Sequence, residues 1–171
     1  MDTNIIKKIE NIVGTENLTT LEEDLHCYSF DGAGKIYLPE AVAFPESTKQ
    51  VSEIMKLATE HQFPVVPRGA GSGMTGGAVP LEGGLVLSMS KLNRILEIDV
   101  DNQIAIVEPG VVTGELQKQV KKVGLSYPPD PASLKYCTIG GNAAECAGGP
   151  SAVKYGVTKD YVMGLDFFDV D

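Results

Sequence analysis

From Arg68 to Gly77 the chain reads RGAGSGMTGG, with glycines at 69, 71, 73, 76 and 77. Ordering so many glycines costs backbone entropy, which a close contact must offset. The chemistry on offer is that of the backbone: N–H groups that can approach a bulky anion, most often a phosphate. Arg68 stands at the entrance as a fixed cation, which suits a pyrophosphate. A mobile surface loop is the plainer alternative. Other chemistry is poorly supplied. His26 and His61 lie far apart, and Cys27, Cys137 and Cys146 contain no C-x-x-C pair, so no metal-ligand cluster is visible. An odd number of cysteines in this pattern reads as reduced thiols in a cytoplasm.

Gly71-Ser72-Gly73-Met74-Thr75-Gly76 matches G-x-G-x-x-G literally. A dinucleotide fingerprint needs a helix to open at those glycines. Here Ala78-Val79-Pro80-Leu81-Glu82-Gly83-Gly84 follows, then Leu85-Val86-Leu87-Ser88-Met89, which is turn chemistry leading into a strand. Glu97 falls where a ribose-binding acid would, but inside a strand-turn-strand pattern. A Walker loop is excluded because no Lys-Ser/Thr closes the glycines.

A second stretch, residues 127–156, reads YPPDPASLKYCTIGGNAAECAGGPSAVKYG. Pro128, Pro129 and Pro131 stiffen it into an extended segment. Gly140-Gly141-Asn142 then leads into small residues and Gly148-Gly149. Small side chains allow close approach to a flat ligand, and a helix starting near Gly141 would aim its N–H end at one. Tight helix packing would select the same residues. Cys137 and Cys146 flank this stretch and read as inert buried thiols.

The elements that must position these stretches follow from periodicity. Thr3 can cap a helix with Ile5, Ile6, Ile9, Ile12 and Val13 on one face, stopped by Gly14. Residues 15–40 read as irregular, with Asp31-Gly32-Ala33-Gly34 a turn. Ala41 to Phe44 is a short strand. Ser47-x-x-Gln50 is a capping box opening a helix to about His61, itself read as a surface residue. Strands are expected at 64–67 and 85–89, and helix 47–61 between strands suggests a βαβ crossover. Residues 95–99 and 104–108 read as a hairpin. Thr113 opens a helix with Leu116, Gln117, Val120 and Val123 inward, ended by Gly124. The mixture indicates an α+β fold. Residues 41–108 are expected to form one lobe and 125–171 the other side of a cleft.

The 171 residues amount to one domain or two small lobes, and the net charge of −9 disfavours nucleic acid. No run is long and apolar enough to span a membrane, and no signal-peptide pattern is present.

The motifs PRGAGSGMTGGAVP, LNRILEID, VEPGV, PPDPAS, TIGGNAAECAGG and KYG occur in that order from about residue 40 onward. Together they resemble the flavin domain of the vanillyl-alcohol oxidase / p-cresol methylhydroxylase superfamily, most closely the flavin-carrying component of bacterial glycolate oxidase and related D-lactate dehydrogenases. The resemblance implies a PCMH-type FAD-binding fold: two small α/β lobes with the cofactor cleft between them. It divides the chain into a lead-in at 1–40 and an FAD-binding domain at 41–171, truncated at its C-terminal end. Arg68, Gly69, Ala70, Gly71, Ser72, Gly73, Met74, Gly76 and Gly77 would cradle the diphosphate. Pro129, Asp130, Ser133, Thr138, Gly140, Gly141, Asn142, Gly148 and Gly149 would line the flavin and its ribityl chain, with Tyr155 and Gly156 also on the cofactor. Some relatives bind flavin covalently through a histidine of the first loop. Ser72 occupies that position, which implies non-covalent FAD.

The family's reaction is oxidation of a 2-hydroxy acid by hydride transfer to flavin N5, with electrons passing to an iron–sulfur or flavin partner subunit. Localisation would be cytoplasmic, at the membrane only through partner subunits. The substrate pocket, its base and a metal-ligand histidine motif lie on later sequence, so no catalytic residue is assigned. The last residues, Leu165 to Asp171, read as a strand, and a chain stopping there would hold FAD weakly and be inactive alone. Alternatives are a flavin-free scaffold keeping the fold, an alkylglycerone-phosphate synthase, a molybdenum-hydroxylase flavin subunit, or a Rossmann NAD enzyme.

Overall fold

The computed structural model describes residues 1–167 and divides into two compact units, Met1–Lys91 with the described residues after Leu165, and Leu92–Leu165. The expected C-terminal strand lies partly outside the described residues; its first part, 165–167, has no regular structure.

The first unit is built on a four-stranded sheet. Its strands are β1 (Leu18–Thr19), β2 (Ala41–Ala43), β3 (Val65–Arg68) and β4 (Leu85–Ser88), in the order β1-β2-β4-β3. β4 pairs in parallel with both β2 and β3, while β1 runs antiparallel to β2. β2 and β4 are buried along their whole length, as parallel strands covered on both faces must be, which explains their unbroken apolar runs AVA and LVL. Alternate residues point to opposite faces. Ala41, Ala43, Leu85 and Leu87 pack against Ile9 and Val13 of α1 (Thr3–Val13) and Ile54 and Leu57 of α3 (Thr48–His61). Val42 and Val86 pack on the other face against Leu25 of α2 (Glu22–Cys27), with Tyr28, Phe44 and Val66 around them. Each fully buried Ile or Leu here contributes about 1.5–3 kcal/mol relative to exposure.

Several expectations change in detail. The cap of α1 is Asp2, whose carboxylate accepts from Asn4 N at 3.0 Å, and Thr3 is the first helical residue. Ser47 does cap α3, but the capping box is not closed on itself. Gln50 Oε1 accepts from Glu46 N at 2.7 Å, and Gln50 Nε2 donates to Ile12 O at 3.0 Å, tying α3 to the end of α1. His61 is half-buried, and Lys8 Nζ of α1 donates to its Nε2 at 2.9 Å. Residues 15–40 are not uniformly irregular, since they supply β1 and α2. The β2-α3-β3 segment joins parallel strands that are not neighbours, because β4 inserts between them.

The second unit starts with the hairpin β5 (Ile95–Asp99) and β6 (Ile104–Val107). The expectation that 41–108 forms one lobe is therefore corrected: the hairpin belongs with the later sequence. Its inward residues Ile95, Ile98, Ala105 and Val107 pack on Val111 and on Leu116 and Val120 of α4 (Thr113–Lys122). That apolar face cannot be left in water, and α4 is the amphipathic partner that follows it directly. Gly124 takes a positive φ of 82° beyond α4 and turns the chain back, with Leu125 N donating to Val120 O. Two short helices complete the unit, α5 (Ile139–Glu145) and α6 (Ala152–Tyr155).

Candidate cofactor-binding site

The first glycine stretch leaves the C-terminal end of β3 and returns at β4 with no helix between, so the dinucleotide fingerprint is literal only. Arg68 closes β3, but its guanidinium does not face outward. The residue is only 6% exposed. Nη1 donates to Ala78 O at 3.0 Å, and the guanidinium carbon lies 5.7 Å from the centre of the Tyr28 ring. Burial pulls its pKa below the usual guanidinium range, against the opposing pull of Tyr28 and Asp31. The expectation of a cation at the mouth of an anion nest is corrected: Arg68 is folded beneath the loop and ties its start to its end. Gly71 makes this possible. It adopts φ +65°, and a Cβ there would overlap the guanidinium.

The loop is also held from outside. Asp31, 5% exposed, uses both carboxylate oxygens. Oδ1 accepts from Ala33 N at 2.8 Å, and Oδ2 accepts from Gly76 N at 2.9 Å. Gly32 N donates to Gly73 O at 2.7 Å. The Asp31-Gly32 turn, legible as a turn, is thus part of the loop's frame, a role that sequence reasoning missed. Its only local signal is the Asp side chain bonding two residues ahead. Gly76 N–H is spent on Asp31, so it does not serve as a free donor.

A different set of groups stays open. The N–H groups of Ala70, Gly71, Ser72, Gly73 and Met74 donate to no group of the described residues. A Cβ built on Gly73 or Gly76 would meet nothing within 4 Å. A run of unspent donors beside glycines that face open space fits a diphosphate held on backbone. Ser72 and Met74 are exposed at its rim, and Gly69 and Gly77 close its ends.

The second stretch behaves otherwise. α5 starts at Ile139 and is capped by Thr138, whose Oγ1 accepts from Gly141 N at 3.4 Å. Ile139 N donates to Val111 O and Gly140 N to Pro109 O, each at 2.8 Å. The first amides of the helix are thereby used on the VEPGV segment, and the expectation that they aim at a ligand is corrected. A Cβ on Gly140 would lie 2.6 Å from Pro109 Cβ, so this glycine makes room for the chain itself. Gly149, at φ +122°, would overlap Asp130, and Gly156, at φ +85°, would overlap the Asp160 carboxylate. Gly148 O accepts from Asp130 N at 3.1 Å.

Asp130 is a bracket within this stretch. Its carboxylate accepts from Ser151 Oγ at 2.7 Å and Ser151 N at 2.9 Å, and these bonds hold its pKa below the usual carboxylate range. Asn142 is buried, with Nδ2 donating to Thr113 Oγ1 at 2.6 Å. Cys137 is buried beside them, its Sγ 3.3 Å from the same hydroxyl, as an inert thiol would be. Pro129 is buried, Ser133 O accepts from Tyr136 N and Cys137 N, and Tyr155 is half exposed. Second-stretch residues therefore spend much of their polar capacity on one another and present a rigid, small-residue surface. Among the described residues no group of His, Cys, Asp or Glu converges as a metal site, and no helix is long and apolar enough to cross a membrane.

Known proteins resemble the chain along most of its length. The chain is 44% identical over 161 residues to glycolate oxidase subunit GlcD of Bacillus subtilis (strain 168), covering 94% of this chain and 34% of that protein. It is 44% identical over 127 residues to D-lactate dehydrogenase of Anaerostipes hadrus, covering 74% and 26% respectively. The chain thus spans about a third or less of the curated relatives it matches. Among solved structures, an alkyldihydroxyacetonephosphate synthase superposes with a TM-score of 0.86 at 23% identity, over 94% of this chain and 32% of that one, which is a likeness of fold. The family described as "FAD binding domain" matches residues 39–171, and the chain belongs to it, as a PCMH-type FAD-binding domain of the vanillyl-alcohol oxidase superfamily related to the glycolate oxidase and D-lactate dehydrogenase proteins.

Proposed function

We propose that the chain binds FAD non-covalently and is the cofactor-holding part of a flavin-dependent dehydrogenase of small 2-hydroxy acids, of the glycolate or D-lactate kind. Its membership of an FAD-linked oxidase family and the names of its relatives support the reading. The single observation that carries it is the run of unspent amides from Ala70 to Met74 beside the open positions Gly73 and Gly76. These amides would take the diphosphate. The small residues of 129–149, with Tyr155 and Gly156, would line the flavin and its ribityl chain. Bound FAD supplies the redox chemistry, accepting a hydride at N5. The protein's part is to hold the cofactor in one orientation. Asp130, Asn142 and Thr138 contribute by keeping the second stretch rigid through internal bonds. Ser72 offers only a hydroxyl, not a suitable nucleophile for a covalent link. An electron-acceptor subunit would complete the reaction path. Three free cysteines support a cytoplasmic location.

The test is a flavin titration, read by quenching of flavin fluorescence. Gly73→Val fills the open space and should raise the FAD Kd at least about tenfold, a loss of about 1.4 kcal/mol. Ser72→Ala, at the rim, should change it little. Flavin should leave with the supernatant on acid precipitation. Equal small effects of the two substitutions, or flavin that stays with the pellet, would contradict the reading.

A further inference from the structure

We propose that Asp31 and Gly32 are positioning residues of the cofactor site, holding the glycine loop in its ligand-ready shape before any ligand arrives. The proposal rests on the FAD-binding reading above and extends it to residues outside the 39–171 span that carries the family match. Gly32 N–H fixes Gly73 O, and Asp31 Oδ2 fixes Gly76 N, across 45 residues of sequence. Together they bracket the segment from Gly73 to Gly76, at both of whose glycines an added Cβ meets nothing within 4 Å. Arg68 ties the loop a third time, at Ala78. A loop so rich in glycine would otherwise sample many conformations, and a ligand would bear the cost of ordering it.

The chemistry of Asp31 separates this role from simple turn formation. Its bond to Ala33 N is a local turn contact that Asn makes equally well. The bond to Gly76 N needs a second acceptor oxygen, which a carboxylate has and an amide lacks. In Asp31→Asn the side-chain NH2 would face the N–H of Gly76, donor against donor. A carboxylate beside an anion site would also repel the ligand if left alone. Arg68 offsets its charge, and each is buried. Gly32 has a separate requirement: a Cβ there would lie 2.8 Å from Gly73 O and 3.1 Å from Met74 Cγ, pushing the loop outward.

Asp31→Asn and Gly32→Ala should each weaken FAD binding about 10- to 100-fold, the loss expected when a hydrogen bond to a charged group is removed. ADP, which carries the diphosphate without the flavin, should lose affinity by the same factor. Titrations are run where circular dichroism shows each variant fully folded. Amide exchange in the unliganded protein should quicken at 70–76 in Asp31→Asn and stay unchanged at 85–88. Wild-type affinity in both variants, or a loss that only follows the unfolded fraction, would overturn the proposal. A wild-type chain that binds neither FAD nor ADP would overturn the FAD reading itself. Normal FAD binding in the wild type with unchanged loop exchange in Asp31→Asn would overturn only the positioning role.

Discussion

Gly71→Ala and Gly73→Ala are two substitutions in the same loop with opposite expected effects on the unliganded protein. At Gly71 the backbone has φ +65°, which costs a non-glycine residue about 1–2 kcal/mol. The new Cβ would also overlap the Arg68 guanidinium, so the side chain must move and give up its bond to Ala78 O. Losing a bond from a buried charged donor costs about 1.5–3 kcal/mol. The reduced entropy of the unfolded chain returns about 0.4–1 kcal/mol. The net loss is about 2–4 kcal/mol, or a fall in Tm of roughly 5–15 °C for a chain of this size. At Gly73 the φ is ordinary and a Cβ meets nothing within 4 Å. Gly73→Ala should therefore leave stability unchanged or raise it by up to about 1 kcal/mol. The chain has no tryptophan, so unfolding is best followed by far-UV circular dichroism in urea. A Gly71→Ala protein as stable as the wild type would refute the account of Arg68 as a buried tie. A Gly73→Ala protein that loses as much as Gly71→Ala would show that Gly73 does not face open space.

Two further outcomes concern the second unit. Arg94 donates to Glu108 through Nε at 3.0 Å, Nη2 at 2.6 Å and its backbone N at 2.7 Å, and the side-chain bonds to Arg94 are the largest cause holding the Glu108 carboxyl below its usual range. A carboxyl with a depressed folded pKa stabilises above its unfolded value, near about 4.3, and the contribution is lost as pH falls through the folded value. The urea midpoint should therefore drop as pH falls below about 4.3, and more shallowly in Glu108→Gln; identical pH profiles would exclude this pair as a contributor. Gly140→Ala, which forces Pro109 away from α5, should cost about 1–3 kcal/mol in urea unfolding; no measurable change would mean that the VEPGV segment yields freely.

Local chemistry is legible in the sequence and remote partnership is not. The cap at Ser47 and the buried strands AVA and LVL follow from residue type and near neighbours. The glycine loop is also legible as backbone built for an anion. The direction of Arg68 is not, because residue type gives the presence of a cation and says nothing of whether it points outward or folds beneath its own loop. Asp31 reads as a turn former because its bond to Gly76 spans 45 residues, beyond any local pattern. The start of α5 is hidden for the same reason: the carbonyls that take its first amides belong to Pro109 and Val111, about thirty residues earlier.

Glycine is where this ambiguity is sharpest. A missing side chain makes room either for a ligand or for the chain itself, and both uses look alike in sequence. Gly73 and Gly76 face open space, while Gly71, Gly140, Gly149 and Gly156 are filled by Arg68, Pro109, Asp130 and Asp160. The second stretch, as rich in small residues as the first, thus uses its glycines largely for internal packing. Any contact it makes with a cofactor would come through a surface already rigid, which lowers the entropy cost of binding. The first stretch keeps Gly73 and Gly76 open and is held from below and from outside, by Arg68 and by Asp31-Gly32. Substitutions at the filled positions should therefore register in stability whether or not ligand is present. Those at Gly73 and Gly76 should register in affinity, and Gly76, at φ +86°, in stability as well.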